Sequence, residues 1–238
     1  VKILALDTAT ENCSAALLID GRLAARERLL ERGHADCILA MIDEVLVEAG
    51  SGLEGLTAIA FGRGPGSFTG VRLAASVTQG LAYGSGLPVV PVSDLAAVAQ
   101  RVLGADEGAA RVLVCNDARM REVYWGCFTR GASGLAEPAG GERVSDPAQV
   151  ALPADWSSGV PGSARPVGLQ GAGTAFAAYP QLRSSFSGTL AGISDLHPRA
   201  AEIALLAVPE VTAGRLLDPE QALPVYLRDN VVRAPAGH

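Results

Sequence analysis

The residue types most able to do chemistry sit in one stretch. It runs Gly62-Arg63-Gly64-Pro65-Gly66-Ser67-Phe68-Thr69-Gly70, with Val71 and Arg72 directly behind. Each glycine gives up about 0.5–1 kcal/mol relative to alanine through backbone entropy, and a turn that only reverses the chain needs one or two. Four of them imply positive φ angles, close backbone approach, or both. Ser67 or Thr69 can cap a following helix, and the free N–H groups of a helix start suit a phosphate or carboxylate. An anion or a partner is therefore the expected ligand of Gly64, Pro65, Gly66, Ser67, Phe68, Thr69, Gly70 and Arg72. A tight structural turn is the plainer alternative.

The spacing excludes the common phosphate and nucleophile motifs. A P-loop needs a lysine that Gly64–Gly70 lacks, and three residues rather than two separate Gly66 from Gly70, so the dinucleotide pattern fails as well. Pro65 and Thr69 occupy the glycine positions of a nucleophile elbow around Ser67, and no His/Asp pattern supports a protease. The three histidines, His34, His197 and His238, lie far apart, and the four cysteines, Cys13, Cys37, Cys115 and Cys127, form no Cys-x-x-Cys pair. No metal site is expected, and the thiols read as reduced, mostly buried groups of a cytoplasmic protein. His34 reads as a helix-start or surface histidine. A net charge of −6 argues against a free-standing nucleic-acid binder. Arg119, Arg121, Arg130 and Arg143 could gather local positive charge, although solvated loop charges are the plainer reading. No apolar run is long enough to span a bilayer, and the strand that begins at Lys2 shows no leader pattern.

These residues must be positioned by strands and helices. With 238 residues, half of them apolar, the chain can bury one large core or two smaller ones. Residues 2–7 and 14–19 read as buried strands, and Asp20-Gly21 is a hairpin signal returning into a strand over 22–29. Ile38, Met41, Ile42, Val45, Leu46 and Ala49 mark one face of a helix over 36–49, with Gly50 as its cap. A strand over 56–61 enters the glycine loop, and a helix over 69–83 leaves it. A strand over 88–92 and a helix from Ser93-Asp94 to Leu103 follow. After a boundary at 104–110 the pattern begins again: strands over 111–117 and 122–130, a turn at 131–134, a weak third strand, then 167–169 leading into Gly171-Ala172-Gly173 and a helix from Thr174. Residues 138–166 are rich in Pro, Gly and Ser and read as mostly loop, with a short helix from Pro147. A helix over 197–207, a turn over 209–217 and the Pro224–Arg228 segment close the chain. Two domains, 1–105 and 106–232, and a frayed tail over 233–238 are expected.

Gly64 to Arg72, the opening Leu4-Ala5-Leu6-Asp7-Thr8-Ala9-Thr10 and the closing Pro224-Val225-Tyr226-Leu227-Arg228 together resemble the TsaB (YeaZ) family over nearly the whole chain. That resemblance implies an α/β, actin-like and sugar-kinase-like (ribonuclease H-like) duplicated fold, with mixed sheets and helices on their faces. It implies a non-catalytic subunit that works with a TsaD-type metal-binding subunit and a TsaE-type ATPase. Their product is threonylcarbamoyladenosine beside the anticodon of tRNAs reading codons that start with A, and tRNA would be met through the complex. The subunit contact, as a homodimer when alone or with TsaD, would use the two N-terminal helices and so Asp36, Ala40, Asp43, Val47, Val71, Ala75 and Gln79. In kinases of this fold, the places of Asp7 and Asp117 are followed by glycine-rich turns that hold ATP and magnesium. Here Thr8-Ala9-Thr10 and Ala118-Arg119-Met120 follow. Asp7, Thr10, Asp117 and Arg119 thus form a degenerate nucleotide site, with no cofactor in this chain's cleft and ATP or ADP, if bound, at a subunit interface. The TsaD family's His-x-x-x-His pair has no counterpart in Ser93-Asp94-Leu95-Ala96-Ala97. An independent ATP-dependent small-molecule kinase is the alternative.

Overall fold

The computed structural model describes residues 1–157 and 168–228. Its first half holds β1 (Lys2–Asp7), β2 (Asn12–Ile19), β3 (Arg22–Leu29), α1 (His34–Glu48), β4 (Ala58–Gly62), α2 (Phe68–Ser85), β5 (Val89–Val92) and α3 (Asp94–Ala105). The second holds β6 (Arg111–Asp117), β7 (Val123–Arg130), β8 (Ala136–Pro138), β9 (Arg143–Ser145), α4 (Ala154–Ser157), β10 (Leu169–Ala172), α5 (Ala175–Ala178), α6 (Pro180–Ser185), β11 (Ile193–Ser194) and α7 (Ala200–Thr212). The strand order is β3-β2-β1-β4-β5 in one sheet and β11-β10-β6-β7-β8 in the other, with β9 also on β7. Read from β8, the second order repeats the first. In each half an antiparallel hairpin adjoins two parallel strands. The second half thus repeats the topology of the first, which is the duplication that the resemblance implies.

Side-chain alternation builds the layers. On one face of the first sheet, Leu4, Leu6, Leu17, Ile59 and Phe61 pack against Ile38, Ile42 and Val45 of α1 and Ala74, Ala75 and Ala82 of α2. On the other face small residues dominate: Ala5, Ala16, Ala58 and Ala60 meet Ala200, Ala204 and Ala207 of α7. Alanine against alanine lets α7 lie close to the sheet. In the second sheet Val112, Val114 and Phe128 bury Leu95, Val98 and Val102 of α3. The opposite face holds Leu113, Trp125, Leu169, Phe176 and Trp156. With α3 packed on α7, these two helices lie between the sheets. The exposed edge strand β3 carries Arg22, Arg26, Glu27 and Arg28, charges that discourage edge pairing.

Several expectations are corrected. The last helix, expected over 197–207, runs from Ala200 to Thr212 through Pro209. Burial against the first sheet outweighs the hydrogen bond lost at proline, and Ala213 N–H still reaches Pro209 O at 2.9 Å. This helix and the bridge between Leu217 and Val89 return the end of the chain to the first half, which a division near residue 105 does not anticipate. Gly171 lies within β10 rather than in a turn, paired with Leu113 and Ile193 on either side, and a glycine fits there because Leu190, Ile193 and Phe176 crowd its position. The helix expected from Pro147 is a single 3-10 turn, Pro147–Gln149. The expected loop over 158–166 and the expected tail over 233–238 lie outside the described residues.

Candidate functional site

The glycine loop bridges β4 and α2, and its backbone explains its composition. Ser67 Oγ accepts the Gly70 N–H at 3.1 Å and caps α2. Ser67 N–H donates to Ala9 O at 2.7 Å, and Thr8 Oγ1 donates to Gly70 O at 2.7 Å. A Cβ on Gly66 would stand 2.5 Å from Ala9 O, and one on Gly70 would stand 2.0 Å from Thr8 O. These glycines therefore let the loop lie directly on the turn after β1. Its other end is held by Asp94, at the start of α3: Gly64 N–H donates to Asp94 Oδ2 at 2.5 Å, and Asp94 N–H donates to Gly64 O at 3.1 Å.

Asp7 and Asp94 are both fully buried. Asp7 Oδ1 accepts the Ala9 N–H at 2.8 Å. A Cβ on Gly62 would fall 2.6 Å from Asp7 Oδ1 and 2.4 Å from Asp94 Oδ1, so glycine there makes room for both carboxyls. Burial pushes the Asp7 carboxyl up to about 6. Burial, and then the charge of Asp7, pushes Asp94 well above the usual carboxylate range.

In the second half Asp117 is engaged by its own turn. Its Oδ1 accepts from Arg119 N–H at 2.8 Å and from Tyr179 OH at 2.7 Å, and Oδ2 accepts from Arg119 Nη1 at 3.2 Å. Arg119 Nη2 crosses to Glu11 Oε1 at 2.8 Å and joins the two halves. Magnesium and a triphosphate do not fit these residues. Asp7 is sealed under the loop, Asp117 is already paired, and side chains stand where an open N–H nest is needed.

Between the halves lies a cleft of about 820 Å³. It brings together Thr10, Pro65, Gly66, Ser67, Asp117 and Arg119 among the expected site residues. His34 also borders it, donating from Nε2 to Thr10 O at 2.8 Å. Phe68, Thr69 and Arg72 are elsewhere, at the outer start of α2. The Arg72 guanidinium stacks 3.3 Å from the centre of the exposed Phe68 ring and 4.7 Å from that of Tyr226. Of the four arginines considered for a basic patch, Arg130 donates to the carbonyls of Leu103, Asp106 and Ala109 at the end of α3, and Arg143 lies over Trp125.

Asp36, Ala40, Asp43 and Val47 are exposed on α1, with Leu39 beside them. Gln79 is half-buried and donates to Ala222 O at 3.1 Å. Val71 and Ala75 do not join this surface: both are buried, Ala75 within the core under α2, where the helical period turns them inward. The solvent side of α2 instead presents Thr69, Ser76, Gly80 and Tyr83, with Leu73 half-buried beside them. Sequence reasoning missed Asp94 as a partner of Asp7 and missed Asn116 and His197 in the cleft. A buried-type strand ending in Ser-Asp at a helix start was the available signal for Asp94.

The model of the family described as "TsaD: tRNA N6-adenosine threonylcarbamoyltransferase" matches residues 28–233. The Escherichia coli (strain K12) protein named tRNA threonylcarbamoyladenosine biosynthesis protein TsaB is 38% identical over 236 residues, covering 97% of this chain and 96% of that one. The Haemophilus influenzae protein of the same name is 38% identical over 238 residues, covering 96% and 94%. A crystal structure from Pseudomonas aeruginosa, described as an uncharacterized protein with similarity to peptidase YEAZ, superposes with a TM-score of 0.83 at 41% identity, over 95% of this chain and 99% of that one. A structure titled YeaZ from the same organism gives 0.80 at 40%, with the same coverage. The glycine loop packed on the strand-end turn, the repeated strand order and these full-length likenesses together place the chain in the TsaB (YeaZ) family.

Proposed function

We propose that this chain is a non-catalytic, activating subunit in tRNA threonylcarbamoyladenosine synthesis. It works in the cytoplasm with a TsaD-type metal-binding subunit, which carries out threonylcarbamoyl transfer, and a TsaE-type ATPase. Alone, it pairs with a second copy through the outer sides of α1 and α2. The relatives' names supply the pathway. The observation that carries the non-catalytic role is the packing of the glycine loop onto Thr8 and Ala9, which fills the place where a kinase of this fold would open toward phosphate. The helix that in the TsaD family bears the histidine pair is here α3, and its Leu95, Val98 and Ala99 are built into the core. The outer faces of α1 and α2 support the docking role. Leu39 and Val47 are 56% and 72% exposed, and Arg72 is the one charged residue of α2. On this reading ATP or ADP binds at a subunit interface rather than in the cleft.

The test is threonylcarbamoyl transfer to unmodified tRNA by a cognate TsaD and TsaE, with and without this chain. Activity that requires the chain, with none from the chain alone, is the expected result. Val47→Arg and Ser76→Arg should abolish capture of the partner and leave the melting curve unchanged, because both positions are exposed. Turnover by the chain alone, or ATP binding by the isolated chain with phosphorylation of a small molecule, would overturn the reading and favour a kinase.

A further inference from the structure

The buried carboxyls of Asp7 and Asp94 each leave one oxygen without a partner, Asp7 Oδ2 and Asp94 Oδ1. Each uses its other oxygen to accept a backbone N–H, that of Ala9 in the turn for Asp7 and that of Gly64 in the loop for Asp94. Both residues are 0% exposed, so bulk solvent does not reach the orphaned atoms. A buried acceptor left unpaired costs about 1–3 kcal/mol, and more if charged. The two carboxyls are neighbours, since a Cβ on Gly62 would fall 2.6 Å from Asp7 Oδ1 and 2.4 Å from Asp94 Oδ1, and two carboxylates so placed add like-charge repulsion. A single proton removes every part of this cost at once. Shared between the two carboxyls, it offers the orphaned oxygens a partner, leaves one negative charge instead of two, and keeps the oxygens that accept the Ala9 and Gly64 N–H groups. We propose that Asp7 and Asp94 share one proton between their carboxyls, and that this proton latches the Gly64–Gly70 loop onto the turn at Thr8–Ala9.

The surroundings supply no other counter-charge of equal reach. β4 and β5 carry no titratable residue. On β2, Cys13 is pushed up to about 12 by burial and by Asp7. Arg63, in the loop, acts on Asp94 but is ion-paired to Glu142 at 3.2 Å, and Glu142 also takes the Ser93 hydroxyl. On α2, Arg72 is stacked on aromatic rings, and on α7 Glu202 is paired with Arg199. The direction of both carboxyls, upward through burial, agrees with a retained proton. Groups whose folded value is raised stabilise fully below their unfolded value, and that stability is lost as pH rises through the folded value. For Asp7 the loss runs from about 3.8 to about 6, and it continues upward with Asp94.

Amide replacements test the latch, because an asparagine can supply the shared hydrogen permanently. Asp94→Asn keeps an oxygen for Gly64 N–H and places an N–H toward Asp7. Asp7→Asn does the same in reverse. The double variant turns two N–H groups toward each other and leaves no acceptor between them. Melting temperatures of the four proteins are measured from about pH 5 to about pH 9, spanning the range above the ordinary aspartate value of about 3.9. The expected result is a wild-type melting temperature that falls toward alkaline pH relative to Asp94→Asn, with both single variants folded and the double variant less stable than either. Carbon-13 spectra of wild-type aspartate carboxyls should show one titration in the alkaline direction from the ordinary range. Parallel pH profiles in wild type and Asp94→Asn would overturn the latch. If Asp94→Asn fails to fold, the wild-type spectra decide, and aspartates all titrating near about 4 would overturn it equally.

Discussion

The two halves start their sheets alike and finish them differently. In each, the first strand ends in an aspartate whose Oδ1 accepts the N–H two residues on, Ala9 for Asp7 and Arg119 for Asp117, both at 2.8 Å. In each, the segment after the strand that pairs parallel with the first, β4 or β10, presses a glycine onto the first strand's end. In the first half that segment is the long Gly64–Gly70 loop, and Asp7 is sealed. In the second it is only Gly173-Thr174, and the turn after Asp117 stays open to the cleft, with Arg119 74% exposed. A long segment after β4 accompanies a buried acid, and a short one after β10 accompanies an open acid. A sealed acid is held by backbone contact and a partner carboxyl, an open one by ion pairs and a tyrosine.

The largest expected effect tests the seal itself. Gly70→Ala drives a Cβ to 2.0 Å from Thr8 O, and Gly173→Ala drives one to 2.3 Å from Cys115 O. Neither neighbour is a flexible side chain. Overpacking of this kind costs about 3 kcal/mol, or about 6–12 °C in melting temperature for a chain of this size. Urea midpoints for both variants check it. A tolerated Gly70→Ala beside a damaging Gly173→Ala would mean that backbone contact does not hold the first half closed.

A smaller effect separates the two acids. Asp7→Ala strands the Ala9 N–H and leaves Asp94 Oδ1 without a partner in a site that bulk solvent does not reach, at a cost of about 1–3 kcal/mol. Asp117→Ala releases Tyr179 OH and Arg119, but both reach solvent, and about 1 kcal/mol is expected. Melts at neutral pH give the order. Equal losses would break the distinction between sealed and open.

Much of this comparison is legible in the sequence, and the part that is not has a physical reason. β1, β3, α1, α2 and β6 follow from apolar periodicity and from the punctuation of Asp20-Gly21, Gly50 and Ser67. The glycines of the loop announce close approach but not what they approach, since Thr8 and Ala9 are brought there only by the pairing of β1 with β4. Asp94 and Asp7 meet for the same reason, through β5 beside β4, and no local pattern links them. Val71 and Ala75 belong to the right helix but the wrong side of it, because small residues give little amphipathic contrast from which to fix a helix's rotation. The return of α7 to the first sheet is a tertiary fact, encoded in alanines that would suit many surfaces.

The smallest effect concerns the open turn. Arg119, Met120 and Arg121 all have positive φ, at 59°, 54° and 64°, where side chains are costly and glycine is not. Arg119 meets this cost with pairs to Asp117 and Glu11 that are exposed and therefore worth about 0–1 kcal/mol. Arg119→Ala keeps the backbone cost and loses the pairs, so it should destabilise by about 0.5 kcal/mol. Arg119→Gly loses the same pairs but relieves the backbone, and should lie about 1 kcal/mol above the alanine variant. Chemical denaturation in low and high salt separates the two contributions: the gap between wild type and alanine should shrink with salt, and the gap between alanine and glycine should not. A salt-sensitive gap between alanine and glycine would mean that the turn is shaped by its ion pairs rather than by its backbone, and the open acid of the second half would then depend on charge for its conformation as well as for its partners.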